Sequence, residues 1–265
     1  MSVFSRRNRK KAAYAIGFFG SLLLLFGFLF SDSLFPEPAP VPTPEPPSAF
    51  LPIIQEQAVA LPHPLPGGGI GIDVVVQLRN PNARAGVGNY PVGITIFSPS
   101  GEELVSHQEV TYILPGSLQY VIALELVLSP GQSFGSLDIT LPENPSFQEL
   151  PDGAALPTFN TFLRERTVRQ IGPQATEVQT GLVRNTSTFN WQQVEVMVVA
   201  LDSNRAIIAA GKTVLGALSV NEQREFTVQW PQTQTPISQV IALPSTNIFR
   251  EDNYLRIIGN PETQR

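Results

Sequence analysis

The residues able to do chemistry are few and scattered along the chain. One G-x-S-x-G pattern occurs, Gly131-Gln132-Ser133-Phe134-Gly135. A serine nucleophile elbow needs a strand before the serine and a helix after it. Here Ser129-Pro130-Gly131 precedes and an alternating run at 136–142 follows, so the pentapeptide reads as a β-turn. An α/β-hydrolase also needs its histidine downstream of the serine. The two histidines, His63 and His107, both lie upstream. His63, between Pro62 and Pro64, reads as a loop residue, and His107, beside Gln108 and Glu109, falls in a strand-like stretch. The chain contains no cysteine. A thiolate nucleophile and a disulfide framework are thereby excluded, and two separated histidines make no transition-metal set.

The carboxylates converge no better. Glu102 and Glu103 follow Gly101 in a hairpin, and neighbouring residues on a strand face opposite sides, so they form no acid–base couple. Asp202-Ser203-Asn204 stops short of a calcium loop and reads as a hairpin turn. Gly67-Gly68-Gly69-Ile70-Gly71 lacks the following Lys-Ser/Thr of a phosphate loop and leads into a strand. Asn185-Thr186-Ser187 is formally a glycosylation sequon, relevant only in a eukaryotic secretory setting. No catalytic residue, metal site or cofactor is expected, and the chain reads as a non-enzyme. The remaining candidate is an interaction cluster, Phe189, Asn190 and Trp191, at the tip of the second domain, because aromatic residues at loop tips are a common binding device. The competing reading places Trp191 over the end of the core. Trp230-Pro231 ends a strand and reads as core.

The elements around these residues are β. Ile72, Val74, Val76 and Leu78 alternate with Asp73, Val75, Gln77 and Arg79. Similar period-two runs cover 92–96, 118–128, 137–141, 193–200 and 225–230, with turn signals at 80–89, 98–101, 114–117 and 129–132. The two halves also repeat. Arg79-Asn80-Pro81-Asn82 matches Arg184-Asn185-Thr186-Ser187, while Leu141-Pro142 and Phe147 match Leu243-Pro244 and Phe249. Two copies of about 100 residues fit immunoglobulin-like sandwiches. Phe50-Leu51 and Phe162-Leu163 are expected to open their first strands.

Ahead of the sandwiches lies a segment of different character. Residues 12–30 contain no charge and would span roughly 28 Å as a helix, close to a bilayer core. Arg6, Arg7, Arg9, Lys10 and Lys11 precede it and by the positive-inside rule stay cytoplasmic. The net charge of −5, with +5 in residues 1–11, leaves −10 on the remainder. Such an acidic body argues against nucleic-acid binding. Residues 36–47 hold seven prolines and read as an extended polyproline II stalk.

The expected plan is all-β, two tandem immunoglobulin-like β-sandwiches behind one N-terminal transmembrane helix. It runs as a cytoplasmic basic tail (1–11), a transmembrane helix (12–31), a Pro-rich stalk (32–49), domain 1 (50–150), a connector (151–162), domain 2 (163–250) and a C-terminal tail (251–265). The expected location is the cytoplasmic membrane with the C-terminal domains outside. The expected partners are the membrane, through the helix, and an envelope or surface protein; the alternative is a small molecule or glycan.

Both copies resemble the FxLYD-type modules and, more loosely, LEA14-like sandwiches of bacterial envelope proteins. The resemblance rests on Gly181-Leu182-Val183-Arg184-Asn185-Thr186-Ser187 and on Val198-Val199-Ala200-Leu201-Asp202, where only the Asp of the F-x-L-Y-D signature is kept. In the first copy, Ile94-Thr95-Ile96-Phe97-Ser98 loses that Asp. The resemblance implies non-catalytic envelope domains and brings no catalytic residues.

Overall fold

The computed structural model describes residues 6–29, 50–66, 68–171 and 174–255. The chain divides into two compact units, residues 1–49 and 50–265. The stalk expected at 32–49, Gly67, and positions 256–265 of the expected tail lie outside the described residues.

The first unit holds α1 (Arg6–Leu29), rich in Ala, Leu and Phe. Its described side chains are those of 14 and 16–26, nearly all exposed. The side chains of the five cations lie outside the described set. Among the described residues no helix is long and apolar enough to cross a membrane. The spanning role expected of 12–31 is therefore a proposal, taken up below.

The second unit is antiparallel β throughout. Its first half contains β1 (Ile54–Pro64), β2 (Ile70–Arg79), β3 (Ala85–Phe97), β4 (Glu103–Ile113), β5 (Leu118–Leu128), β6 (Ser136–Thr140) and β7 (Phe147–Glu149). Its second half contains β8 (Phe159–Ile171), β9 (Gln174–Asn185), β10 (Val194–Leu201), β11 (Ile207–Leu215), β12 (Gln223–Pro231) and β13 (Gln239–Ser245). In the first half a β1-β2-β5 sheet faces a β4-β3-β6 sheet, and β7 also pairs with β3. In the second half β8-β9-β12 faces β11-β10-β13. Strand for strand the two halves have the same order, as a duplication requires.

Each pair of sheets encloses its own core. In the first, Ile72, Val74, Val76 and Leu78 of β2 meet Tyr90, Val92, Ile94 and Ile96 of β3. In the second, Phe226, Val228 and Trp230 of β12 meet Val194, Val196 and Val198 of β10. The alternating runs supply these inward residues, and the period-two rule puts their neighbours on the opposite face.

A third apolar cluster joins the two sandwiches. Val75, Tyr120 and Ile122, on the outer face of β1-β2-β5, pack against Met197, Val199 and Leu201, on the outer face of β11-β10-β13. The second unit is thus a stack of four sheets. Its inner two are buried on both faces, which explains why Val74-Val75-Val76 and Val196-Met197-Val198-Val199 are apolar without interruption. The outermost faces are polar. Ser106, Gln108, Asp138 and Thr140 cover one, and Arg184, Glu225, Thr227 and Gln229 the other.

Several element boundaries differ from those read in the sequence. β1 opens at Ile54 rather than Phe50, because Leu51 is held in the loop by paired bonds with the Asn82 side chain, at 2.8 and 2.7 Å. β8 opens at Phe159, three residues before Phe162. The turn expected over 80–89 ends early, since β3 already runs from Ala85 and pairs there with β7. Residues 251–254 are woven into the second sandwich. A 3₁₀ turn covers Glu251–Asn253, and Tyr254 bridges Trp191.

Candidate functional site

The sequence candidates Phe189, Asn190 and Trp191 sit in the loop between β9 and β10 and are brought together with Tyr254. The rings of Trp191 and Tyr254 lie 4.9 Å apart, and Phe189 is 5.8 Å from Trp191 and 5.6 Å from Tyr254. Trp191 is 1% exposed and belongs to the second core. Its indole N–H donates to Ser187 Oγ at 2.9 Å. Its backbone exchanges hydrogen bonds with Leu218, at 3.1 and 2.8 Å. Asn190 Oδ1 accepts from the Val220 amide at 2.7 Å. The cluster therefore closes the end of the sandwich, and of its three members Phe189, at 44% exposure, presents a ring to solvent.

His63 and His107 lie in separate places, each beside a carboxylate. His63 is on β1, not in a loop, and its Nδ1 is 3.8 Å from Asp73 Oδ2. The imidazole lies flat over Gly71, where a Cβ would collide with it. Asp73 is itself buried, and its Oδ1 accepts from the Glu125 amide at 2.8 Å. Glu125 adopts a left-handed backbone, φ 57°, at a bulge in β5 that turns its amide toward the carboxylate. Burial raises the Asp73 carboxyl above the usual range, against the Glu125 amide and His63, which lower it.

His107 Nε2 is 3.2 Å from Glu109 Oε2. Glu109 Oε1 in turn takes Lys212 Nζ at 2.6 Å, so the group crosses from the first sandwich to the second. Glu195 lies close by, its carboxyl raised by burial and lowered in part by Lys212. Ser133 follows a turn closed by the Gln132 amide on Ser129 O at 3.0 Å and leads into β6, with neither histidine on its strand. Among the described residues no group of three or more His, Asp or Glu could hold a metal ion.

Sequence reasoning did not anticipate the grooves at the two ends of the sandwich junction. The nearer one, about 470 Å³, is lined by Val110, Tyr112, Glu195 and Val214 and lies beside the loop that holds Leu51. It is crossed by Tyr112 Oη with Ser245 Oγ at 2.8 Å and by Asn247 Nδ2 donating to Gly88 O at 2.9 Å. The farther one, about 1100 Å³, lies where the β1–β2 end meets the start of β9 and the loop 232–235. Asp73, His63 and Trp230 all line it. The signal for both was the run of apolar residues on both faces of β2 and β10, which shows that the sandwiches adjoin.

No family model and no curated protein matches the sequence. Among solved structures, the crystal structure of a red sea bream transglutaminase is similar at a TM-score of 0.20 and 10% identity. The match covers 71% of this chain and 29% of that enzyme, so the chain spans under a third of its length. A likeness of that size carries no argument about fold or activity.

Proposed function

We propose that the chain is a membrane-tethered, outward-facing, non-enzymatic protein whose joined sandwiches present an interaction surface in the cell envelope. The observation that carries this reading is the apolar seam of Val75, Tyr120 and Ile122 against Met197, Val199 and Leu201. It gives two domains one relative position, as a scaffold or spacer requires. The polar outer faces suit a body that stands in water and does not stack further. The tether is supported by the charge-free run 12–30 after five cations and by the prolines of 36–47. The partner of this reading is an envelope or surface protein, with no cofactor and no nucleic acid.

The absence of cysteine makes the test clean. Single-cysteine variants Ser2→Cys and Ser203→Cys are expressed in intact bacteria and treated with a membrane-impermeant maleimide. The reading expects Ser203→Cys to label in intact cells and Ser2→Cys to label only after lysis. Labelling of both, or of neither, in intact cells overturns the topology. A soluble mature form beginning after Phe30 overturns the tether.

A further inference from the structure

The larger groove is built in a way that structural packing alone does not require. Its floor carries Trp230, 2% exposed, whose Nε1–H is buried and has no acceptor among the described residues. A buried donor without a partner costs about 1–3 kcal/mol. Trp191, the other tryptophan, satisfies its N–H on Ser187. Beside Trp230 stands Asp73, 5% exposed, on a bulge that commits a left-handed Glu125 to it. One donor and one acceptor thus line the same cavity, both held by β-sheet.

The rest of the lining sorts by chemistry. Gln174, Gln232, Thr233 and Gln234 are amides and hydroxyls, which both donate and accept. Pro62 and Pro231 provide apolar wall. No charge is left unanswered. Asp73 faces the Glu125 amide and His63. Glu177, behind the loop, takes Arg166 at 3.5 Å and the Thr233 amide at 3.3 Å, which fastens the loop 232–235 to β9. A site of paired donors and acceptors without a net call for an ion selects hydroxyl groups, which also do both. A volume of about 1100 Å³ stands at the top of the range for small-molecule sites, roughly 300–1,000 Å³, and suits several rings better than one.

We infer that this groove binds a neutral polyhydroxylated ligand, a short oligosaccharide. The Trp230 N–H and the Asp73 carboxylate are its donor and acceptor at the floor, and the loop 232–235 is its polar wall. The inference is independent of which side of a membrane the domain occupies.

The test reads the indole N–H resonances of the full-length ¹⁵N-labelled chain in detergent. Two are present, one per tryptophan. The probes are maltotetraose, cellotetraose and chitotetraose, with tetra-alanine and spermidine as the peptide and cation arms. The expected result is a saturable shift of the Trp230 resonance with at least one tetrasaccharide while Trp191 stays in place. A plug at the exposed rim, Gln234→Trp, should then weaken that titration by about tenfold or more with Tm unchanged. The variant's added indole resonance is assigned by comparison with the parent. The inference fails if no tetrasaccharide moves Trp230 at about 10 mM, well above a millimolar Kd. It also fails if only the peptide or the cation does so, or if the plug leaves the titration as it was.

Discussion

Asn80 and Asn185, 105 positions apart, make the same hydrogen bonds in the two sandwiches. Asn80 Nδ2 donates to Ala85 O at 2.7 Å and Leu114 O at 2.9 Å. Asn185 Nδ2 donates to Phe189 O at 2.7 Å and Leu218 O at 3.1 Å. Each Oδ1 accepts from the backbone amide and the side chain two residues on, Asn82 in one case and Ser187 in the other. Both side chains are buried. Each asparagine ends a strand, caps the turn after it in the manner of an Asx-turn, and ties that turn to a loop about thirty residues away. The repeated Arg-Asn motif is therefore a structural clamp. Its full use of the Asn185 amide leaves no free nitrogen for a sugar in the folded protein.

Asn80→Ala and Asn185→Ala should each cost about 2–4 kcal/mol, since two buried carbonyls and a buried amide lose their partners at once. Asn→Asp should be worse at either site, because a carboxylate would face two carbonyl oxygens. Urea denaturation measures both. A cost below about 1 kcal/mol would show that the loops find other partners.

The seam between sandwiches makes a prediction about cooperativity. Val199 is fully buried in it while Val198, its neighbour, faces the second core. Val199→Asp places an unpaired charge between two sheets, at a cost of about 3 kcal/mol or more. Both cores keep their residues, so calorimetry should show one transition separating into two, and small-angle scattering a larger radius of gyration. Thr227→Asp, on the exposed outer face of β12, should stay within about 0.5 kcal/mol of the parent. A single unsplit transition in Val199→Asp argues that the sandwiches have no independent stability.

The sandwich strands were legible because one face of each is apolar and the other polar or small, and the repeat was legible because its clamp needs asparagine. The seam was not read as such. Val75, Met197 and Val199 stand in the very runs that mark the strands, but period two assigns them to a solvent face, and only the absence of polar residues there signals a second burial. The grooves were less legible still. Asp73 and His63 lie ten positions apart and Trp230 lies in another sheet, and no spacing rule links them. Trp191 shows the opposite failure, since a loop aromatic looks the same in sequence whether it covers a core or a partner.

The pair Glu109–Lys212 crosses the junction at 2.6 Å with both side chains partly exposed. Its contribution should be modest, about 1 kcal/mol or less, as for other solvent-screened pairs. A double-mutant cycle of Glu109→Gln and Lys212→Met gives the coupling, which should fall as salt is raised. A coupling of several kcal/mol, insensitive to salt, would instead make this pair rather than the apolar seam the main fastening.

The buried carboxylates set the pH dependence. Asp73 and Glu195 both have folded pKa values raised above their ordinary 3.8 and 4.5, and in each the largest cause is burial. A raised folded pKa means that the folded state holds the proton more tightly than the unfolded one. The stability each group contributes is then full below its ordinary value and is lost as pH rises through the folded value, so at neutral pH both ionised groups weaken the junction. Asp73→Asn keeps an oxygen for the Glu125 amide and removes the charge, and Glu195→Gln leaves Lys212 paired with Glu109. Each variant should be more stable than the parent at neutral pH, and the gain should shrink as pH falls and vanish below 3.8 for Asp73 and 4.5 for Glu195. Thermal unfolding of parent and variants across that range measures it. A variant less stable than the parent at neutral pH would show that the contacts of the ionised carboxylate, His63 for Asp73 or Lys212 for Glu195, outweigh its desolvation.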